Sequence, residues 1–300
     1  MGAEIISGMP EKQYHALNAL GSSPLKRFHD CPASVLDPVE VSEDMELGSA
    51  QDSFTLYGPE HFHQNFIIMP DFGDMRSPAR RKERDEFIES MQGKGKTILP
   101  ATVTTKKIPT LKAITDVDNF LYREHPMTKI IFRQGDQQLS LFWNDPDTGL
   151  ACKGRLDHYP DPSYKTIFDL KKCARLDNFH NQIEKLRYFL QGGHYTNGAL
   201  INGMDVLGFA FVAFNFGDPP EVRIVAMDDE YMEKSMRLAR TTIFLIHECR
   251  QADHFPKYKV PLDTISMAQM LGLKSCGSFK QLAPQDMIEV AQTPYSLRAA

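Results

Sequence analysis

Apolar positions recur at helical spacing through roughly the first 125 residues and then give way to runs and alternations of strand type. Tyr14 to Ala33 reads as short helices separated by G-S-S-P and stopped at Cys31-Pro32, with Ser23 as N-cap and Pro24 as first helical residue. Met45 to Leu56 reads as a helix ended by Gly58-Pro59. Pro70, Gly73 and Pro78 make residues 70–82 a loop before a charged helix at 79–91, and Q-G-K-G-K at 92–96 is a flexible break. Leu111 to Glu124 has the period of a long amphipathic helix, closed by His125-Pro126.

The middle of the chain changes character. Leu139–Trp143, Leu150–His158 and Lys165–Lys171 read as three strands joined by N-D-P-D-T-G and P-D-P-S turns. A helix is predicted over Phe179–Asn197, a buried apolar strand over Val206–Asn215, a further strand over Val222–Ala226 and a long helix over Asp228–Gln251. This order, β-β-β-α-β-β-α with helices in front, predicts an α/β or α+β sheet covered by helices. Lys257 to Ala300 carries only weak helix signals and reads as a tail or a partner-docking extension.

Length and composition bound the picture without sharpening it. Three hundred residues, 42% hydrophobic and 24% charged, fit one large soluble domain or two small ones. No run of about 18 apolar residues occurs, so no transmembrane helix and no membrane partner is expected. The opening M-G-A-E-I-I-S-G-M-P has no secretory pattern. The five cysteines form neither a disulfide framework nor C-x-x-C zinc pairs. A cytoplasmic location with reduced thiols follows as the expectation.

Net charge is −5, which excludes a generally basic nucleic-acid coat but not a locally positive cleft. Between Arg76 and Lys112, ten Lys/Arg stand against four acids. Such a cluster is more often a solvated helix face than a binding surface. It gains meaning only beside a site for an anionic substrate.

The stretch K-G-R-L-D-H-Y-P-D-P-S-Y-K-T-I-F-D-L-K-K, residues 153–172, supplies that site. Read as a hairpin, it places Asp157 near the end of one strand and Asp169 on the next. Asp169 and Lys171, two apart, leave the same face, while Leu170 points into the core. Two carboxylates and a backbone carbonyl such as that of Leu170 suit a hard divalent cation. A lysine beside them can orient or deprotonate a water, or stabilise charge developing on a phosphate. D-x-K by itself is commonly a surface ion pair worth little. Here Ile167, Phe168 and Leu170 mark a core strand, where an acid and a lysine need a reason. Tyr188, Gln191 and Tyr195 follow at i, i+3, i+7 on one helix face. They either pack against the sheet or grip a phosphate or metal ligand.

Two further signals are set aside. G-K-G-K-T at 93–97 lacks the first glycine of a P-loop, with Ser90 in its place. His61 and His63 read as an exposed pair in a loop.

The order G-R-L-D, I-F-D-L-K and R-Y-F-L-Q-G-G-H-Y resembles the PD-(D/E)XK nucleases, in particular the exonuclease VIII (RecE-like) family of phage and prophage 5′–3′ DNA exonucleases. The likeness extends to M-P-E-K-Q-Y-H-A-L, S-S-P-L-K-R-F, L-G-S-A-Q-D, L-Y-G-P-E-H-F, H-P-M-T-K-I-I-F, L-S-L-F-W-N-D-P-D-T-G-L-A-C-K-G-R-L-D and H-E-C-R-Q-A-D-H-F-P-K-Y, covering about residues 9–258. It implies a restriction-endonuclease-like α/β core, a mixed central sheet flanked by helices. The nuclease domain would span 1–258, with its core at about 111–256, a helical part at 1–110 and an extension at 259–300.

The resemblance also implies an activity. It is Mg²⁺-dependent degradation of one strand of linear duplex DNA, with Mn²⁺ as substitute, leaving single strands for recombination in a bacterial host cell. Double-stranded DNA with free ends, a single-strand annealing recombinase and further copies of the chain in a ring would be the partners. Asp157 and Asp169 with the Leu170 carbonyl would be metal ligands, Lys171 the catalytic lysine that activates water, and Gln191 with Tyr195 the helix motif. Asp52, which stands where the family usually has a metal-binding histidine, would be a further metal ligand, and Gln138 stands where the family tends to have a glutamate. Arg76, Arg80, Arg81, Lys82, Lys94, Lys96, Lys106 and Lys107 would hold the DNA backbone. A weakened nuclease fold that only binds DNA, a metal-dependent endonuclease and a non-enzymatic interaction protein are the competing readings.

Overall fold

The computed structural model describes residues 2–103, 107–159 and 165–257. The chain opens with strand β1 (Glu4–Ile6) and helices α1 (Glu11–Ala16), α2 (Ser22–Asp30) and α3 (Glu43–Tyr57). α2 begins before the expected cap. Gly21 is its N-cap, and Ser22 is buried, with its hydroxyl bonded to Tyr195. α3 is capped by the Ser42 hydroxyl, which accepts from the Met45 N–H, and it ends at Gly58, whose φ of 93° suits glycine.

α4 (Pro59–Asn65) follows at once, so His61 and His63 lie on a helix and not in a loop. The His61 imidazole stacks on Tyr57 with ring centroids 4.2 Å apart and sits 2.7 Å from the Ser53 hydroxyl, contacts that stabilise a two-turn neighbour of α3. β2 (Phe66–Ile68), α5 (Pro78–Met91) and β3 (Thr97–Leu99) then form a small parallel β-α-β unit. Its strands are too short to register in the residue pattern. G-K-G-K-T feeds β3 and no helix, which removes the P-loop geometry as well as the motif.

The hairpin β4 (Thr102–Val103) and β5 (Ile108–Pro109) leads into α6 (Thr110–Asn119), extended by a π turn to Glu124, and the short α7 (Thr128–Ile131). The three expected strands are β6 (Asp136–Asn144), β7 (Ala151–Tyr159) and β8 (Thr166–Lys172). Residues 160–164, including the P-D-P-S turn, lie outside the described residues, as does nearly all of the C-terminal extension.

The predicted helix at 179–197 is two helices, α8 (Phe179–Lys185) and α9 (Tyr188–Ile201). Arg187 adopts a left-handed φ of 53° between them, which turns α9 across the sheet. β9 (Gly208–Phe214), β10 (Val222–Ala226) and α10 (Asp229–Gln251) complete the fold. The Asp228 carboxylate caps α10 through the Tyr231 N–H.

The main sheet has the order β1-β6-β7-β8-β9-β10 and is mixed: β8 and β9 are parallel, the other neighbours antiparallel. The α8–α9 crossover is what permits the parallel pair. Alternation sorts the core. Phe209, Phe211 and Ala213 face a layer with Ile167, Trp143, Leu190 and Ile243, under α2, α9 and α10. Ala210, Val212 and Phe214 face Phe168, Leu170, Phe54 and Ile114, under α3 and α6. N-terminal residues contribute to both layers. No helix among the described residues is long and apolar enough to cross a membrane.

Candidate active site

β7 and β8 pair only at His158↔Phe168 and then part. Asp157 and Asp169 are the next residue on each strand along the parting, so the two carboxylates stand at the mouth of the opening. Separation frees ladder groups that must find partners. The Leu170 N–H donates to Asp157 Oδ2 at 2.8 Å, and the Leu170 carbonyl accepts from Lys171 Nζ at 3.1 Å. The lysine ammonium also pairs with Asp169 Oδ2. The side chain thus bridges two oxygens that would suit a hard cation.

Period-two alternation puts Asp169 and Lys171 on the α9 side, with Leu170 in the opposite core layer. Asp169 is 1% exposed. Its other oxygen accepts from Gln191 Nε2 at 2.7 Å, which gives Gln191 the task of orienting the carboxylate. Tyr195, one turn on, packs on Gly154. A Cβ there would come within 3.0 Å of the ring, so the glycine of G-R-L-D makes room for the tyrosine. Tyr188 faces the ammonium of Lys171, 5.3 Å from the ring centroid. All three residues of the i, i+3, i+7 face therefore border the acidic pair.

Asp52 reaches the site from α3. It shares with Asp157, Gln138, Tyr57, Arg155 and Tyr195 a cavity of about 180 Å³. Burial, then the charge of Asp157, push the Asp52 carboxyl well above its ordinary range. Burial and the Asp169 charge likewise raise Asp157 to about 7, against the pull of Lys171 and the Leu170 N–H. For Lys171, burial opposes the charge, but Asp169 and Asp157 outweigh it and raise the lysine above its usual value. Without a cation on the two carboxylates the site therefore favours the charged ammonium, held by Asp169 and the Leu170 carbonyl.

Gln138, already marked by the resemblance as standing in place of a glutamate, has a conformation that the residue spacing does not reveal. It adopts φ 54° within β6, is buried, and donates to Asp157 Oδ1 across a long 3.4 Å. Its own Oε1 accepts from the Tyr57 hydroxyl at 3.2 Å, and that hydroxyl accepts from Arg155, which also donates to the Met9 carbonyl at 2.7 Å. A half-buried chain of hydrogen bonds thus ties Asp157 to the N-terminal segment. A left-handed glutamine in a strand is the signal, and only the backbone shows it.

None of the expected DNA-binding cations lines that cavity. Arg76, Arg80, Arg81, Lys82, Lys94, Lys96 and Lys107 are all exposed, and Lys106 lies outside the described residues. On α5 four cations meet four acids, with Arg80–Glu83, Lys82–Glu86 and Arg84–Asp85 ion pairs, so this helix is neutral as a unit. Lys96 donates to the His63 carbonyl at 2.7 Å.

Hard oxygens, two of them on mutually repelling carboxylates, fit a divalent cation. Among the described residues no three His, Cys, Asp or Glu side chains enclose a metal by themselves. A cation here would rest on Asp157, Asp169, the Leu170 carbonyl and water, with Asp52 behind Asp157. One consequence is measurable without any substrate. The unfolded chain ionises Asp157 near pH 4, whereas the fold resists ionisation until about pH 7. Metal-free protein therefore loses stability as pH rises through that window. Asp157→Asn, which keeps an acceptor for Leu170, should match wild type in Tm near pH 4.5 and exceed it at pH 8 in chelator. A Tm difference independent of pH would show that Asp157 titrates normally.

A protein-family model described as "PDDEXK-like domain of unknown function (DUF3799)" matches residues 21–264. No curated protein matches the chain. Among solved structures, one from Eubacterium rectale named "Putative exonuclease" superposes with a TM-score of 0.56 at 16% identity, covering 88% of this chain and 98% of that one. Likeness at that identity speaks for the fold alone, and the fold agrees with the mixed sheet between helical layers. PDDEXK nucleases generally use divalent metals, in keeping with the oxygen-rich opening between β7 and β8. With four fifths of its length inside the family model, the chain belongs to the PDDEXK-like family DUF3799.

Proposed function

We propose that the chain is a divalent-metal-dependent deoxyribonuclease of RecE-like type, degrading one strand of linear duplex DNA from an end in the 5′–3′ direction and leaving single strands for recombination. The observation that carries this reading is the parting of β7 and β8, which gathers Asp157, Asp169, the Leu170 carbonyl and Lys171 at one opening. Asp157, Asp169 and the Leu170 carbonyl would hold Mg²⁺, or Mn²⁺ in its place, with Asp52 as a further ligand whose ionisation the cation would favour. Such a cation, when bound, supplies Lewis-acid polarisation of the phosphoryl group and a nucleophile at neutral pH.

The protein groups do the rest. Gln191 fixes the rotamer of Asp169. Lys171 orients and activates the attacking water and stabilises charge developing on the phosphate oxygens. Gln138 and the Leu170 N–H hold Asp157. Contacts to DNA are phosphate contacts, which position without reading sequence. Arg76, Arg81, Lys94 and Lys107 have no carboxylate within ion-pair distance among the described residues, so they are the better candidates within the basic region. A ring of copies around the duplex would give the requirement for an end.

Digestion of linear and covalently closed duplex DNA, each with Mg²⁺ and with EDTA, tests the reading. Linear DNA should be consumed only with metal, and closed circles spared. Rapid cutting of supercoiled plasmid would make the protein an endonuclease. Inertness towards both substrates in Mg²⁺ and in Mn²⁺ would sink the enzymatic reading.

A further inference from the structure

One cation at the opening has no use in the chemistry above. Lys26, on the face of α2 that borders α9, is half-buried with its ammonium 5.4 Å from the Tyr188 ring centroid. Lys171 holds its own ammonium 5.3 Å from the same centroid, so two lysines share one phenol ring. Their situations differ. Lys171 is bound to Asp169 and to the Leu170 carbonyl. Lys26 has no carboxylate within ion-pair distance and makes no side-chain hydrogen bond among the described residues.

The neighbouring cations are committed. Arg27 donates to the Asp37 and Val35 carbonyls, and Arg187 pairs with Asp30 at 2.7 Å. Burial, with the nearby charge of Lys171, holds the Lys26 ammonium down at about 8, against the attraction of Asp169. A cation–π contact offsets only part of what a desolvated ammonium loses. An anion would supply the partner that Lys26 lacks among the described residues. A role in covering Tyr188 with its aliphatic stem would need no charge at all.

We propose that Lys26 is a second substrate-binding cation of the site, taking a phosphodiester group of the bound strand next to the one that is cut. The inference rests on the nuclease reading and adds a residue to it. Lys171 serves the reacting phosphate and Lys26 its neighbour, both beside Tyr188.

Lys26→Met separates charge from packing, since it keeps the stem over Tyr188 and removes only the ammonium. Affinity for a fluorescein-labelled duplex with a single-stranded overhang, measured by anisotropy in EDTA at several salt concentrations, provides the readout. Lys26→Met should bind about tenfold more weakly at low salt. Its slope of log K against log salt should be shallower by about one, while Lys26→Arg restores both and Tm stays at the wild-type value. Unchanged affinity and slope in Lys26→Met would overturn the proposal. So would a loss in Lys26→Met that tracks a fall in Tm and is not rescued by Lys26→Arg. Wild-type protein that binds no DNA would instead fail the nuclease reading itself, which the same titration detects first.

Discussion

Asp169→Asn and Lys171→Met should each lower the rate of linear duplex degradation by about 100-fold or more, with cooperative folding retained. Both substitutions preserve shape and remove charge. Asparagine can still face Gln191, whose Nε2 now donates to Asp169 Oδ1, but it cannot supply the negative charge a hard cation needs. Methionine keeps the stem of Lys171 and loses the ammonium that faces Asp169, the Leu170 carbonyl and Tyr188. Each single variant leaves an uncompensated partner, so Tm should fall in both. The Lys171→Met and Asp169→Asn double variant should recover part of it, because the buried pair is then neutral on both sides. Rates above about a tenth of wild type in either single variant, well short of the expected loss, would take Asp169 and Lys171 out of the chemistry.

Gly193→Ala should be the most damaging substitution for the fold, at about 3 kcal/mol or more. α9 crosses α10 so closely that a Cβ on Gly193 would fall on the carbonyl group of Ser235. The obstacle is backbone, so the helices must separate and the layer over β8 and β9 must loosen. Gly48, on α3, meets nothing within 4 Å of the same hypothetical atom. There alanine should add about 0.5–1 kcal/mol by reducing the freedom of the unfolded chain and improving helix propensity. Urea unfolding of the two variants reads both signs in one assay. A Gly193→Ala midpoint close to wild type would mean that α9 and α10 leave room for a Cβ at their crossing.

The elements most legible in the residue pattern are those whose period alone decides their state. β9 alternates large and small apolar residues across a sheet buried on both faces, and α10 carries its own cap at Asp228. The spacing of Asp169 with Lys171, and of Tyr188, Gln191 and Tyr195, already fixes which of these side chains share a face. The ion pairs on α5 were equally local, at i+3 and i+4, and they reduce what the surplus of basic residues can mean there. Helix boundaries set by tertiary contact were less legible. The left-handed Arg187 divides a run that reads as one helix, and stacking on Tyr57 turns the histidine segment into α4.

Local spacing therefore determined which residues the active face of each element presents: Asp157 on one strand, Asp169 and Lys171 on the next, Gln191 and Tyr195 on a helix. Tertiary structure decided where those faces meet. The parting of β7 from β8, the left-handed Gln138 against Asp157, the arrival of Asp52 from α3 and of Lys26 from α2 all depend on contacts between residues far apart in the chain. Period along a chain carries the direction of a side chain relative to its own backbone. It carries nothing about the distance to another element, which packing and burial alone establish.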